Sequence, residues 1–176
     1  LPASMNQVEY FGRGPAENYL DRNAGSMVGL YKSTAEELYF PYVRPQENGH
    51  HTDTRWVSLS TGKKGLLIQA DNTIGFNALR NSIEDFDDEE ATGLSRQWSN
   101  FTPEQVANHD EAAAKNVLRR QHHINNITPR DFVEVCVDLK QQGVAGYDSW
   151  GSRPEPAYTL PANREYNWGF TLIPLK

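Results

Sequence analysis

The sequence predicts an all-β fold built as an antiparallel sandwich, and three observations carry that prediction. From Phe132 to Lys140, Val133, Val135, Val137 and Leu139 alternate with Glu134, Cys136, Asp138 and Lys140, the period of a half-buried strand. Six further short apolar runs, each bounded by Gly, Asn or Pro, read the same way. The apolar share is lean, 38% of 176 residues, but weighted towards 7 Phe, 8 Tyr and 4 Trp. Each such ring can bury ~150–250 Å², so few residues suffice to fill a layer.

In chain order the expected strands are Val8 to Phe11, Met27 to Tyr31, Arg55 to Leu59, Gly65 to Ala70, Gly75 to Leu79, Phe132 to Lys140 and Tyr166 to Leu175. Turn clusters separate them: Gly12 to Pro15, Pro45 to Gly49, Ser60 to Gly62 and Gly151 to Pro154. One segment departs from the β pattern. Six of the eight residues from Ile83 to Glu90 are acidic, which reads as a solvated loop or a helix start. A short helical excursion is then predicted near 102–119. Thr102 can cap its N-terminus, Pro103 suits the first helical position, and Arg119 and Arg120 suit the negative end of the dipole. No repeat or linker divides the chain, so residues 1–176 are expected to form a single β-sandwich domain. Leu1-Pro2-Ala3-Ser4 has neither an initiator Met nor the layout of a signal peptide, which suggests a piece of a longer multidomain chain.

Composition excludes several classes. With 17 basic and 23 acidic side chains the net charge is −6, and no Lys/Arg block provides the footprint of a nucleic-acid binder. No run approaches the ~20 apolar residues of a membrane helix, and the mean hydropathy is −0.70. The single cysteine, Cys136, rules out an internal disulfide framework and any multi-cysteine zinc site, and leaves the compartment open.

Most motifs fail a chemical test. Gly12-Arg13-Gly14-Pro15 lacks the third glycine and the following βαβ unit of a dinucleotide loop. The pairs His50-His51 and His122-His123 would point to opposite faces of a strand, so structural roles are favoured over metal binding. No Gly-x-Ser-x-Gly elbow exists, and Cys136 sits inside the alternating strand, where a thiol packs rather than attacks. What remains is the Gly-rich stretch Gly143 to Ser152, which follows the best strand. Its Trp150 could stack on the C–H face of a pyranose while Asp148 and Ser149 orient hydroxyls, or could cap its own core.

Five ordered blocks bear on this choice. They are Tyr10 to Arg22, Tyr42 to Gly49 with Thr54-Arg55-Trp56, Phe76 to Leu79, His122-His123, and Gln142-Gly143-Val144 running to Asp148-Ser149-Trp150. Together they span nearly the whole chain, and they resemble the C-terminal small-chain domain of family 2 β-galactosidases, the lactose-enzyme type. The resemblance implies an antiparallel β-supersandwich similar to galactose mutarotase. It implies retaining hydrolysis of terminal β-D-galactosides by two glutamates in an upstream α/β barrel, so that no catalytic residue lies in this chain and the chain alone is inactive. Magnesium and sodium are expected in that barrel, and no cofactor in this domain. Trp150 is expected to reach the sugar subsite, with Asp148 and Ser149 beside it.

The implied partners are the upstream barrel, the galactoside and, through an uncovered strand edge, a second copy of the chain. The match has departures: the interval from Arg80 to Gln121 is longer than usual, Arg80-Asn81 follows Phe76 to Leu79, and Tyr147 precedes Asp148. Two rival expectations remain, a stand-alone carbohydrate-binding module and an aldose 1-epimerase-like domain drawing on His51, His123, Glu47 and Asp53.

Overall fold

A computed structural model describes residues 1–86, 124, 127–148 and 151–176. The chain packs as two compact units. One comprises Leu1–Phe40, Asn48–Asn81 and Pro129–Lys176, and the other Pro41–Glu47 and Ser82–Thr128. The helix expected near 102–119 and the pair His122-His123 lie outside the described residues.

The fold is all-β, as the sequence predicts. Among the described residues, six strands form one antiparallel sheet: β1 (Gln7–Gly14), β2 (Met27–Thr34), β3 (His51–Ser60), β4 (Gly65–Leu79), β5 (Glu134–Asp138) and β6 (Phe170–Leu175). The order is β2-β1-β3-β4-β5, and β6 also pairs with β4. Gly65 to Ala70 of β4 pair with β6, and Gly75 to Leu79 pair with β5.

That arrangement explains why two expected strands are one. Asp71 and Asn72 are poor strand formers and mark a break in the sequence. In the sheet, however, β3 lines one flank of β4 while β5 and β6 line the other, and the Asp71 N–H reaches Gly169 O at 3.0 Å. Pairing of the flanking residues, Gly65 to Gln69 and Gly75 to Leu79, carries the strand across this break and outweighs a propensity difference of at most ~1 kcal/mol. Tyr166 to Leu175 shortens to Phe170–Leu175, and Pro174 is tolerated because, among the described residues, β6 pairs on one side only.

The core lies on one face of the sheet. β1 alternates as a half-buried strand should, with Val8 and Tyr10 inward. Tyr10, His51 and Phe76 form a ring cluster with centroids 4.9 to 5.2 Å apart, and Val57, Leu59, Ile68 and Ile74 are buried with it in the core. Strand β3 breaks strict alternation: it buries His51, Thr54, Val57 and Leu59. The register shifts on either side of Thr54, and Asp53 there has φ 51°, the signature of a bulge. The Arg13 Nε–H donates to Asp53 Oδ2 at 2.6 Å and holds the bulge from β1. The outer strands β2 and β6 expose Met27, Leu30 and Leu172.

In the second unit, the acidic run opens with a single 3-10 turn, Ile83–Phe86. Asp85 there is buried rather than solvated, and its Oδ2 accepts the Ser82 N–H at 3.1 Å.

Candidate functional site

The loop that leaves β5 is described as far as Asp148, while Ser149 and Trp150 lie outside the described residues. Asp148 is exposed. The start of this loop is held at several points. Gly143 is buried and donates its N–H to Tyr158 O at 2.8 Å. The Val144 N–H donates to Asp21 Oδ1 at 3.0 Å, and the Ala145 N–H to Asp21 Oδ2 at 2.8 Å. One ionised carboxylate thus accepts two successive backbone donors, a charge-assisted pair roughly twice as strong as neutral bonds. Gly143 permits the approach, since a Cβ at that position would stand 2.5 Å from Asp21 Oδ2. The backbone then turns through two left-handed residues, Ala145 (φ 54°) and Gly146 (φ 82°).

Asp21 is presented by a rigid mount. It sits in the turn closed by the Arg22 N–H on Tyr19 O at 2.8 Å. Just before it, Asn18 is fully buried and donates to Arg13 O and Ala16 O at 3.0 and 3.1 Å. Its Oδ1 accepts from the Thr52 N–H and hydroxyl at 3.0 and 2.6 Å. Tyr19 is buried, stacks on His50 at 5.6 Å and donates its hydroxyl to Glu17 Oε2, which also accepts the Gly49 N–H at 2.7 Å. The Gly12 to Arg22 block, unsuited to a phosphate, serves as a scaffold that ends in Asp21.

The histidines of this scaffold are structural. His50 and His51 are each 1% exposed. His51 places Nδ1 2.9 Å from Gly49 O and Nε2 3.3 Å from Pro15 O, and burial depresses its pKa. His50 has no hydrogen-bond partner on either ring nitrogen among the described residues, and burial, then His51 beside it, push its pKa down to about 4. Both rings are therefore uncharged at neutral pH. Of the other residues weighed for epimerisation, Asp53 is ion-paired to Arg13, Glu47 belongs to the second unit, and His123 is outside the described residues. Among the described residues no group of three or more His, Cys, Asp or Glu is placed to hold a metal ion.

Asp21 is the functional candidate that a reading of the sequence misses. It lies 123 positions from Val144, so no local pattern links the two. The available signal was that Asp21 and Gly143 both fall inside the ordered blocks.

Over residues 1–172 the sequence matches the protein family described as beta galactosidase small chain. It is 34% identical over 176 residues to a beta-galactosidase of Priestia megaterium, covering 99% of this chain and 14% of that protein. It is 29% identical over 172 residues to a beta-galactosidase of Vibrio cholerae, and 26% identical over 172 residues to one of Staphylococcus xylosus. Those matches cover 98% of this chain and 13% and 14% of the respective relatives.

Proposed function

The chain belongs to the β-galactosidase small-chain family, and from that premise we propose that it completes the galactoside subsite of a β-galactosidase whose catalytic barrel lies in the same, longer protein. The reaction is retaining hydrolysis of terminal β-D-galactosides. It uses two carboxyl groups ~5–5.5 Å apart, one protonating the leaving oxygen and one attacking the anomeric carbon. Both belong to the barrel, as do the magnesium and sodium ions, and this chain supplies no catalytic residue. Trp150 presents its ring to the sugar, Asp148 and Ser149 flank it, and the platform excludes water and holds the sugar in attack geometry.

The observation that carries this reading is the match along residues 1–172, which includes the loop from Gly143 to Trp150. In the full-length enzyme, Trp150→Ala should lower kcat/KM about tenfold or more on both lactose and an aryl galactoside, as expected for loss of ~1–2 kcal/mol of ring stacking. Unchanged kinetics on both substrates would overturn the role of Trp150. Calorimetric titration of the chain by itself with galactose should show no saturation at millimolar sugar. Saturable binding there would favour a stand-alone carbohydrate-binding module instead.

A further inference from the structure

We propose that Asp21 is a positioning residue for the substrate-facing loop: its carboxylate clamps the backbone at Val144 and Ala145 and thereby sets the course of the loop towards Asp148. The inference rests on the reading of Trp150 given above, but the clamp itself is built entirely from described residues. Three independent features converge on it. Both carboxylate oxygens are used, each on one successive N–H of the loop, at 3.0 and 2.8 Å. The residue just before these donors is Gly143, where any Cβ would strike Asp21 Oδ2, Cγ and Oδ1 at 2.5, 2.6 and 3.0 Å. The backbone at the second donor, Ala145, is left-handed, a conformation that L-residues avoid unless their surroundings impose it.

The mount adds to the argument. Asn18 and Tyr19, just ahead of Asp21, are buried; Asn18 is hydrogen-bonded to Arg13 of β1 and Thr52 of β3, and Tyr19 to Glu17. Asp21 is therefore a fixed post against which the loop can be registered. The loop leaves β5 at Asp138, and beyond the Gly143 N–H on Tyr158 O it is the two bonds to Asp21 that fix its course. A carboxylate suits the task because it is acceptor-only. An amide in its place would turn an N–H donor towards one of the loop's own N–H groups.

The test uses the full-length enzyme with two readouts. Amide hydrogen exchange of peptides covering 143–148 reports the clamp, and kcat/KM on an aryl galactoside reports its consequence. Asp21→Ala should speed exchange in 143–148 while leaving peptides of β1 and β3 protected, and should lower kcat/KM about tenfold. Asp21→Asn, which keeps one acceptor, should fall between wild type and Asp21→Ala in both readouts. Gly143→Ala should reproduce Asp21→Ala, and the double variant should be no worse than either single one, because both break the same contact.

In a Trp150→Ala background, Asp21→Ala should cost nothing further in kcat/KM if the clamp acts through that ring. Unchanged exchange in 143–148 and unchanged kcat/KM in Asp21→Ala would overturn the clamp, and so would fully additive losses from Asp21→Ala and Gly143→Ala. Faster exchange in Asp21→Ala together with a silent Trp150→Ala would leave the clamp standing and remove the Trp150 reading.

Discussion

His50 carries a cost that is visible only through its surroundings. Its imidazole is 1% exposed, stacked on Tyr19 and packed against Gly75, where a Cβ would come within 2.5 Å of its Cε1. Burial there favours the neutral ring, and the folded pKa is about 4 against 6.5 for the free group. Because the folded value is the lower one, the unfolded chain binds more protons between pH 6.5 and 4, and stability falls as pH drops through that window. The loss attributable to His50 should be about 2 kcal/mol between pH 7 and pH 5. Denaturant unfolding of wild type and His50→Phe at both pH values checks this. The variant should show a correspondingly smaller difference between the two pH values, and an equal difference in both proteins would refute it. The same closeness predicts that Gly75→Ala destabilises by ~1–3 kcal/mol, since the adjacent ring has no room to retreat.

In β3, the bulge at Asp53 decides which side chains enter the core. A strict period of two would bury His51, Asp53, Arg55, Val57 and Leu59, which would put a carboxylate and a guanidinium inside. The bulge, together with the second register shift between Thr54 and Trp56, replaces that set with His51, Thr54, Val57 and Leu59. Magnitudes indicate what holds it. The Arg13–Asp53 pair has side-chain exposures of 29% and 42%, so it contributes no more than ~1 kcal/mol. The left-handed φ of 51° is tolerated by Asp and penalises a branched side chain by ~1–2 kcal/mol. Asp53→Gly should therefore stay within about 0.5 kcal/mol of wild type, because relief of φ offsets the lost ion pair. Asp53→Val should lose about 2 kcal/mol or more, and thermal melts of the two variants distinguish these outcomes. The sequence pattern found only the Arg55 to Leu59 half of β3. Its earlier half follows no simple period, because the extra residue resets the alternation and is stabilised by Arg13 from another strand.

For the molecule as a whole, β4 is the strand on which the sheet depends, since it pairs with β3, β5 and β6. Phe76, fully buried at the centre of the ring cluster, is the side chain whose loss should be felt throughout. Phe76→Ala should cost ~3–5 kcal/mol, a large part of the ~5–15 kcal/mol that holds a domain folded. Leu30, 58% exposed on the outer strand β2, should tolerate replacement by Lys within ~0.5 kcal/mol. Denaturation midpoints of the two variants should differ accordingly, and comparable losses would mean that the outer strands carry more of the core than their exposure indicates.

The all-β class, most of the strand positions and the family were legible in the sequence, because period-two alternation and ordered local blocks are local properties of the chain. The merger of two runs into β4, the bulge at Asp53 and the burial of both histidines were not, because each depends on partners distant in sequence. The same distinction runs through the loop after β5. Its glycines and its Asp148-Ser149-Trp150 block stand out along the chain, whereas its attachment to Asp21 exists only once β1 and β5 share a sheet. The sequence by itself determined which local elements could form and to which family they belong. Tertiary structure alone decided how those elements are registered against one another, since hydrogen bonds and close contacts across more than a hundred residues leave no periodic trace along the chain.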